Sequence, residues 1–322
     1  MPNMQIKSDP RVFEHIQDVI EQSKITLQPV TPIKFLSSPL RHSEQVIEDS
    51  RQFSSKQVEA LLVMAFFCMF PYRNSAGEMP SINFTGLYLA MDKRDGRRPQ
   101  AAKAKMDCIW QYFASCAYEK KNNIPGRHIT FMRRSMISFP DWANADTLMS
   151  DVAFSDLPIE DQNGPVLEVD FANKVIGGGV LGSGAVQEEI RMAVAPEMIV
   201  ARLFTPPLQD HEVLIITGAK RFSETSGYSD MLSFEGHYED MEKMREVVAM
   251  DATEFRDRNK QFLKHEILRE MNKAYCAFYS TAKHPVKIAT GHWGCGAFGG
   301  DRELKAIIQL MAASQVGKHL YS

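Results

Sequence analysis

The spacing of apolar residues gives the chain two textures. Over the first third the pattern is helical. From Gln57 onward, VEALLVMAFFCMF carries apolar residues on almost every side, as a helix buried all round would, and Pro71 stops it. The stretch 79–107 is loop-rich. Residues 101–121 then predict a helix, with Ile109, Trp110, Phe113 and Cys116 spaced for one face.

After NNIPG at 122–126 the texture changes. Short β-rich runs alternate with helices: HITFM near 128, VLEVDFA near 166, EVLIITG near 212 and VKIATG near 286. Helices fit over 186–204, interrupted at Pro196, around 251–279, and over 301–314. In the last of these Asp301 serves as cap, and Leu304, Ile307, Ile308 and Met311 form the apolar stripe. The alternation predicts an α/β layered domain with a largely parallel or mixed sheet. A boundary near residue 126 separates a helical region, 1–126, from this domain, 127–322. No repeat or low-complexity tract interrupts either part.

Composition narrows the picture. A chain of 322 residues, 44% hydrophobic and 24% charged, fits one large globular domain or two unequal ones. A formal charge of −3 argues against a general nucleic-acid binder. A polyanion still fits a pocket that uses backbone N–H groups. The basic run KRDGRRPQAAKAK, beginning at Lys93, reads as a nuclear address or a polymer-contacting patch; the plainer reading, a solvated loop entering the next helix, is favoured. Cysteines at 68, 108, 116, 276 and 295 form no CxxC pair and no even framework, which points to a reducing, intracellular setting. The first ten residues are polar with no signal-peptide core behind them, and the most apolar run, 61–70, is about half of what a membrane helix needs.

The densest chemical signal is VDFANKVIGGGVLGSGAVQEEIR, residues 169–191. A strand runs into Gly177, Gly178 and Gly179; Gly182 and Gly184 follow; Gln187, Glu188 and Glu189 open a helix. Three successive glycines mark tight curvature or close approach of another group. Glycine-rich turns that feed a helix bare N–H groups to an anion such as a diphosphate. The plain alternative is a flexible connection with solvated glutamates. The paired glutamates diverge by about 100° on a helix, so both cannot address one atom squarely. Their repulsion raises one pKa while the helix N-terminus favours the ionised form. An acid beside a phosphate-binding loop is what glycoside cleavage near a diphosphate requires.

A second run, ATGHWGCGAFGGD at 289–301, again reads strand, glycine turn, helix. Gly294, Gly296 and Gly299 spell GxGxxG, but the chain leaves no room for the strands and acidic residue of a Rossmann unit, so a second anion-binding loop is the better reading. A third run from Thr217 offers Tyr228 in a Gly-Tyr turn, either stacked on a base or ribose or simply on the surface. Nine histidines show no HExxH or paired metal spacing, and there is no G-x-S-x-G elbow or Walker sequence. His292 is the one histidine inside a glycine loop.

GGG, seven residues, then QEE, preceded by VDFAN, resembles the signature of the poly(ADP-ribose) glycohydrolases. LLVMAFFCMFP, INF, TFMRRS and FPDW resemble that family's helical accessory region. IEDQNG, APEMIVARLF, LIITGAKRFSETSGY, MNKAYCAFY and the second glycine loop resemble its macrodomain. The resemblance covers roughly residue 40 to the C-terminus. It implies a macrodomain with a mixed β-sheet sandwiched between helices, plus the accessory region, hydrolysing ribose–ribose bonds in poly(ADP-ribose). Glu189 would protonate the departing ribose oxygen and later activate water, Glu188 would position the substrate, and Asp170 would support loop and pocket. Asn173 and Gln187 would bond the substrate ribose and the loop. Gly178 and Gly179 would approach the diphosphate, and the backbone of Trp293, Gly294, Cys295, Gly296 and Ala297 would cradle its other side. Phe298 would pack near the distal ribose, Tyr228 would stack at the adenine end, and Ile159 and Glu160 would read adenine's edge.

The resemblance implies no metal and no cofactor. Its partners are poly(ADP-ribose) and ADP-ribosylated proteins, with neither direct DNA nor membrane binding, in the nucleus and/or cytoplasm. Neighbouring, diverging glutamates differ from the usual pair of carboxylates flanking a glycosidic bond. Two departures from the family stand out. His292 takes a position where animal members place asparagine. The chain also stops after HLYS, where members continue through another strand, which implies a more open adenine pocket or a truncated form. Two other functions compete: a macrodomain that reads ADP-ribose without cutting, against which QEE speaks, and a nicotinamide-dependent oxidoreductase, which fails on chain length.

Overall fold

A computed structural model describes residues 10–22, 46–71, 73, 79–92, 98–239, 245–279 and 287–321. Within them an eight-stranded mixed sheet forms the centre. Its strands are β1 (Val46–Ser54), β2 (His128–Met136), β3 (Val152–Ala153), β4 (Val166–Ala172), β5 (Glu212–Thr217), β8 (Arg245–Asp251), β9 (Lys287–Ala289) and β10 (His319–Tyr321). A separate hairpin joins β6 (Ser223–Ser226) to β7 (Ser233–His237). The spatial order is β1-β2-β5-β8-β4-β9-β10-β3. From β8 to β3 all neighbours are parallel; β5, β2 and β1 continue antiparallel.

Strand alternation sets two cores. In β5, Val213 and Ile215 face one side while Leu214 and Ile216 face the other; in β8, Val248 and Met250 oppose Val247 and Ala249. The first side is covered by α6 (Lys264–Phe278) and α7 (Arg302–Gln315). The second is covered by α5 (Gln187–Val194), the 3₁₀ turns Pro196–Leu203, α2 (Ser55–Phe66) and α4 (Pro99–Lys121). Helices α1 (Pro10–Gln22) and α3 (Thr85–Ala90) complete that layer. With helices on both faces, β4 is buried along nearly its whole length.

Several elements differ from the hydropathy pattern. The helix expected around 251–279 is shorter: Asp251 ends a strand, irregular chain and a 3₁₀ turn at Arg258–Phe262 follow, and α6 begins only at Lys264. EVVAM is a short apolar run without alternation, since both its faces are covered. The first third is not wholly helical: VIEDSRQFS forms β1, an edge strand paired antiparallel to β2 along its whole length. Hydrogen bonds therefore join the region before residue 126 to the sheet. β10 follows α7 and pairs parallel to β9, a strand the pattern does not announce. β10 itself, His319–Tyr321, carries no acidic residue.

Five residues of the basic run, 93–97, lie outside the described residues. Lys105, at its end, is not solvated: it is 1% exposed on the inner face of α4. Among the described residues no helix is long and apolar enough to cross a membrane.

Asp301 caps α7, its Oδ1 accepting the Leu304 N–H at 2.9 Å, as the sequence predicts. Asp301→Ala is expected to cost about 1 kcal/mol, read as a lower urea midpoint with unchanged slope.

Candidate active site

Both glycine loops stand at the carboxyl ends of adjacent parallel strands, the first after β4 and the second after β9. Ligands of open α/β sheets gather at that edge. The second loop starts against the end of β4: a Cβ on Gly291 would touch the Phe171 ring at 3.5 Å.

The first loop is wrapped around two carboxylates. Glu188 accepts the N–H of Asn173 at 2.9 Å and of Gly177 at 2.6 Å. Glu189 accepts the N–H of Gly179 at 2.9 Å and of Val186 at 2.9 Å. The glycines make this close approach feasible. A Cβ on Gly178 would lie 2.6 Å from Glu189 Oε1 and 2.8 Å from Glu188 Oε2, and one on Gly184 would lie 2.6 Å from Glu189 Oε1 and 2.8 Å from the Gly179 Cα. No side chain fits in either place.

With N–H groups turned toward the carboxylates, the loop's carbonyls turn away and meet buried cations. Lys105 Nζ donates to the carbonyls of Gly179 (3.2 Å), Val180 (2.9 Å), Gly182 (2.8 Å) and Gly184 (2.5 Å). Arg202 donates to Ile176 O at 2.8 Å, Gly178 O at 3.2 Å and Ser81 O at 3.0 Å. Burial lowers Lys105 to about 8 and Arg202 to about 10, and the nearby glutamates oppose both shifts.

Asp170 sits under this assembly on β4, fully buried, and neither oxygen has a hydrogen-bond partner among the described residues. Burial raises its pKa to about 7, with Arg191 opposing and Glu189 and Glu168 adding to the rise. Glu188 is raised too, first by burial and next by Asp170, although its two N–H bonds pull the other way. The two acids repel, so they share fewer than two charges at neutral pH. Arg191 on α5 pairs with Glu168 at 2.9 Å, and Arg245 pairs with the same carboxylate at 3.0 Å.

The other expected residues are placed as follows. Gln187 spends its amide on β4, accepting the Phe171 N–H at 2.8 Å and donating to Val169 O at 3.3 Å. That locks α5 to the strand end and leaves no amide bond to the loop. Asn173 Oδ1 accepts the Val175 N–H at 3.0 Å. Gly178 N–H bonds Val175 O, and that of Gly179 is held by Glu189, so neither is free for a diphosphate. The Tyr228 hydroxyl lies at the backbone N–H of Gln187, within the field of Glu189; burial, the larger cause, raises its pKa. It therefore stands beside the glutamates. Glu160, on the turn Ile159–Asp161, lies in the field of Arg191.

In the second loop, Trp293 is 1% exposed and donates its indole N–H to Met250 O at 3.0 Å, anchoring the turn to β8. Lys305 stacks under that ring, 4.0 Å from its centroid, and pairs with Glu270. Gly294 takes φ +74, and a Cβ there would meet the Ala252 methyl at 2.6 Å. Cys295 is half-buried, its thiol pushed up to about 11 by burial. Among the described residues the N–H groups of Gly296, Ala297 and Phe298 have no backbone acceptor, and Gly296 faces open space. Three successive N–H groups without a backbone acceptor are a candidate anion nest. His292 is exposed beside it.

Lys105 and Arg202 hold the first loop, and the motifs assign a role to neither. The signal for Lys105 is its register: Ala101, Lys105, Cys108 and Tyr112 share the buried stripe of α4. Among the described residues no cluster of His, Cys, Asp or Glu is arranged to hold a metal.

The family model for the poly(ADP-ribose) glycohydrolase macro domain fold matches residues 139–322, and the model for that enzyme's helical domain matches 12–133. The chain belongs to the poly(ADP-ribose) glycohydrolase family. Relatives in this family include poly(ADP-ribose) glycohydrolase 1 of Arabidopsis thaliana, 33% identical over 84% of this chain and 62% of that protein. The probable poly(ADP-ribose) glycohydrolase 2 of the same plant is 30% identical, over 84% and 61%. The chain thus spans about three fifths of the length of these family relatives. Among solved structures, the poly(ADP-ribose) glycohydrolase of Thermomonospora curvata aligns with a TM-score of 0.42 at 16% identity, covering 55% of this chain and 72% of that one.

Two stability measurements test the geometry. Gly184→Ala should destabilise the fold by about 1–3 kcal/mol, since carboxylate or backbone must move. Gly182→Ala, whose Cβ would find its nearest neighbour at 3.6 Å, should stay within about 0.5 kcal/mol of the unaltered chain. Asp170 gives a pH test. Its folded pKa of about 7 exceeds the ordinary 3.8, so the folded state holds an extra proton between those values, and stability falls as pH rises through that window. Asp170→Asn removes this dependence. Its stability relative to the unaltered chain should climb from pH 4 to 7 and level off above, measured by urea denaturation; a pH-independent difference would contradict the assignment.

Proposed function

We propose that this chain hydrolyses ribose–ribose O-glycosidic bonds in poly(ADP-ribose), releasing ADP-ribose, inside the cell on ADP-ribosylated proteins in the nucleus or cytoplasm. One observation carries the reading: a glutamate is threaded through the glycine loop after β4, and the glycine loop after the adjacent parallel β9 has three successive N–H groups without a backbone acceptor among the described residues. A diphosphate held on the N–H groups of Gly296, Ala297 and Phe298 puts the attached ribose toward the first loop.

Glu189 is the acid and then the base. It gives its proton to the departing ribose oxygen as the C–O bond breaks, and the sugar passes through an oxocarbenium-like state. The carboxylate then takes a proton from the attacking water, whose oxygen bonds to the anomeric carbon. Glu188 and Asp170 act from behind. Glu188 is fixed by two N–H bonds and sets the loop's curvature against the substrate. Asp170, buried without a partner, keeps the charge on Glu188 low. Of the two glutamates Glu189 is the more exposed, at 7% against 2%, which suits it for contact with the sugar.

Asn173 keeps its amide NH₂ for the ribose. Gln187 aids indirectly, by fixing α5 on β4, and Tyr228 packs over the bound sugar next to Glu189. Ile159 and Glu160 line the adenine end. His292 stands at the rim of the nest, while Trp293, Gly294 and Cys295 shape its floor and Phe298 flanks the distal ribose.

The test is incubation with labelled poly(ADP-ribose), following free ADP-ribose. The unaltered chain should release it. Glu189→Gln should lose at least about a hundredfold in rate while binding ADP-ribose with near-normal affinity by calorimetry. Equal hydrolysis by both would remove Glu189 as the acid. Tight binding with no hydrolysis by either would identify a reader of ADP-ribose.

A further inference from the structure

We infer that Lys105 is a positioning residue for this reaction: from the helical region it holds the glycine loop in the conformation that presents Glu189 to the bond being cut. The inference rests on the hydrolase reading given above.

Four carbonyls of one loop, those of Gly179, Val180, Gly182 and Gly184, converge on a single ammonium. An ammonium has three N–H donors, so the four acceptors share them. The stretch 177–186 contains five glycines, which bring no side chains to hold their own conformation. Gly179 O also accepts the N–H groups of Gly182 and Gly184, but without a cation the carbonyls of Val180, Gly182 and Gly184 would have no donor among the described residues, and the loop would turn them toward solvent.

The contact passes directly to the acid. Gly179 gives its carbonyl to Lys105 and its N–H to Glu189. Gly184 gives its carbonyl to Lys105, and its Cα side packs so tightly on the Glu189 carboxyl that no Cβ fits. Two residues thus touch both the ammonium and the carboxylate. Releasing Lys105 would turn a peptide hinged on the very Cα whose N–H (Gly179) or packing surface (Gly184) is held against Glu189, so the disturbance reaches the acid. The charge of Glu189 favours the ammonium in return, against a burial that pulls it down to about 8. Arg202 serves the other half of the loop through Ile176 and Gly178, but it lies within the α/β layer. Lys105 is supplied by α4, so the helical region contributes to the geometry of the acid.

The experiment compares Lys105→Met and Lys105→Gln with the unaltered chain. Met keeps length without charge or donors; Gln keeps two donors. Steady-state hydrolysis of poly(ADP-ribose), ADP-ribose calorimetry and amide hydrogen exchange are measured on each. Lys105→Met should lower kcat by about a hundredfold, the scale of a misplacement near 1 Å, with KM and ADP-ribose affinity within about threefold. Exchange should accelerate at 177–186 and stay unchanged in β4 and β8. Lys105→Gln should fall between, and it carries the same test if the Met variant does not fold. A kcat near the original in either folded variant overturns the inference. So does exchange that rises evenly across all strands, which would mark a general loss of stability. If the unaltered chain releases no ADP-ribose, the hydrolase reading fails by itself, and the exchange pattern still decides whether Lys105 fixes the loop.

Discussion

Carbonyl groups of the first glycine loop have to be buried so that its N–H groups can face two carboxylates, and only cations make that burial tolerable. Lys105 and Arg202 supply them, reaching the carbonyls of Ile176, Gly178, Gly179, Val180, Gly182 and Gly184 from behind. The N–H groups of Gly177 and Gly179 face Glu188 and Glu189, while those of Gly178, Val180, Gly182 and Gly184 close turns within the loop. Glycine is required because any Cβ at 178 or 184 would occupy the space of a carboxylate oxygen. The site is a charge arrangement first and a motif second.

The second loop repeats the device with different parts. Lys305 lies beneath the Trp293 ring, and that ring is tied by its N–H to β8. The floor of the turn is fixed, and among the described residues the N–H groups of Gly296, Ala297 and Phe298 have no backbone acceptor. One loop gives the N–H groups of Gly177 and Gly179 to acids, and the other leaves three without a backbone acceptor among the described residues. Since β4 and β9 are adjacent and parallel, the two loops open side by side. A diphosphate-linked sugar matches that asymmetry, because its anionic part and its scissile part need opposite treatment.

Much of this was legible in the residues. The apolar runs EVLIIT and VLEVDFA and the Asp301 cap all lead to elements where they belong, and GGG with QEE marks the loop and its acids. The gaps have physical causes. VIEDSRQFS is an edge strand with polar residues on most positions, so it carries no apolar period. REVVAMD is covered on both faces, so it carries no alternation. Lys105 was concealed by a basic run that reads as solvent-facing; only its place on the stripe of Ala101, Cys108 and Tyr112 distinguishes it. Gln187 reads as a ligand for ribose but bonds a strand end, because the first turn of α5 sits over β4. Hydropathy reports burial of apolar surface and is silent about buried charge.

The most direct test is a crystal structure of the chain with ADP-ribose bound. The account predicts the diphosphate on the N–H groups of Gly296, Ala297 and Phe298, and the distal ribose with its anomeric carbon facing the carboxylate of Glu189. A diphosphate seated away from the second loop, or a Glu189 carboxylate turned away from the sugar, would contradict it.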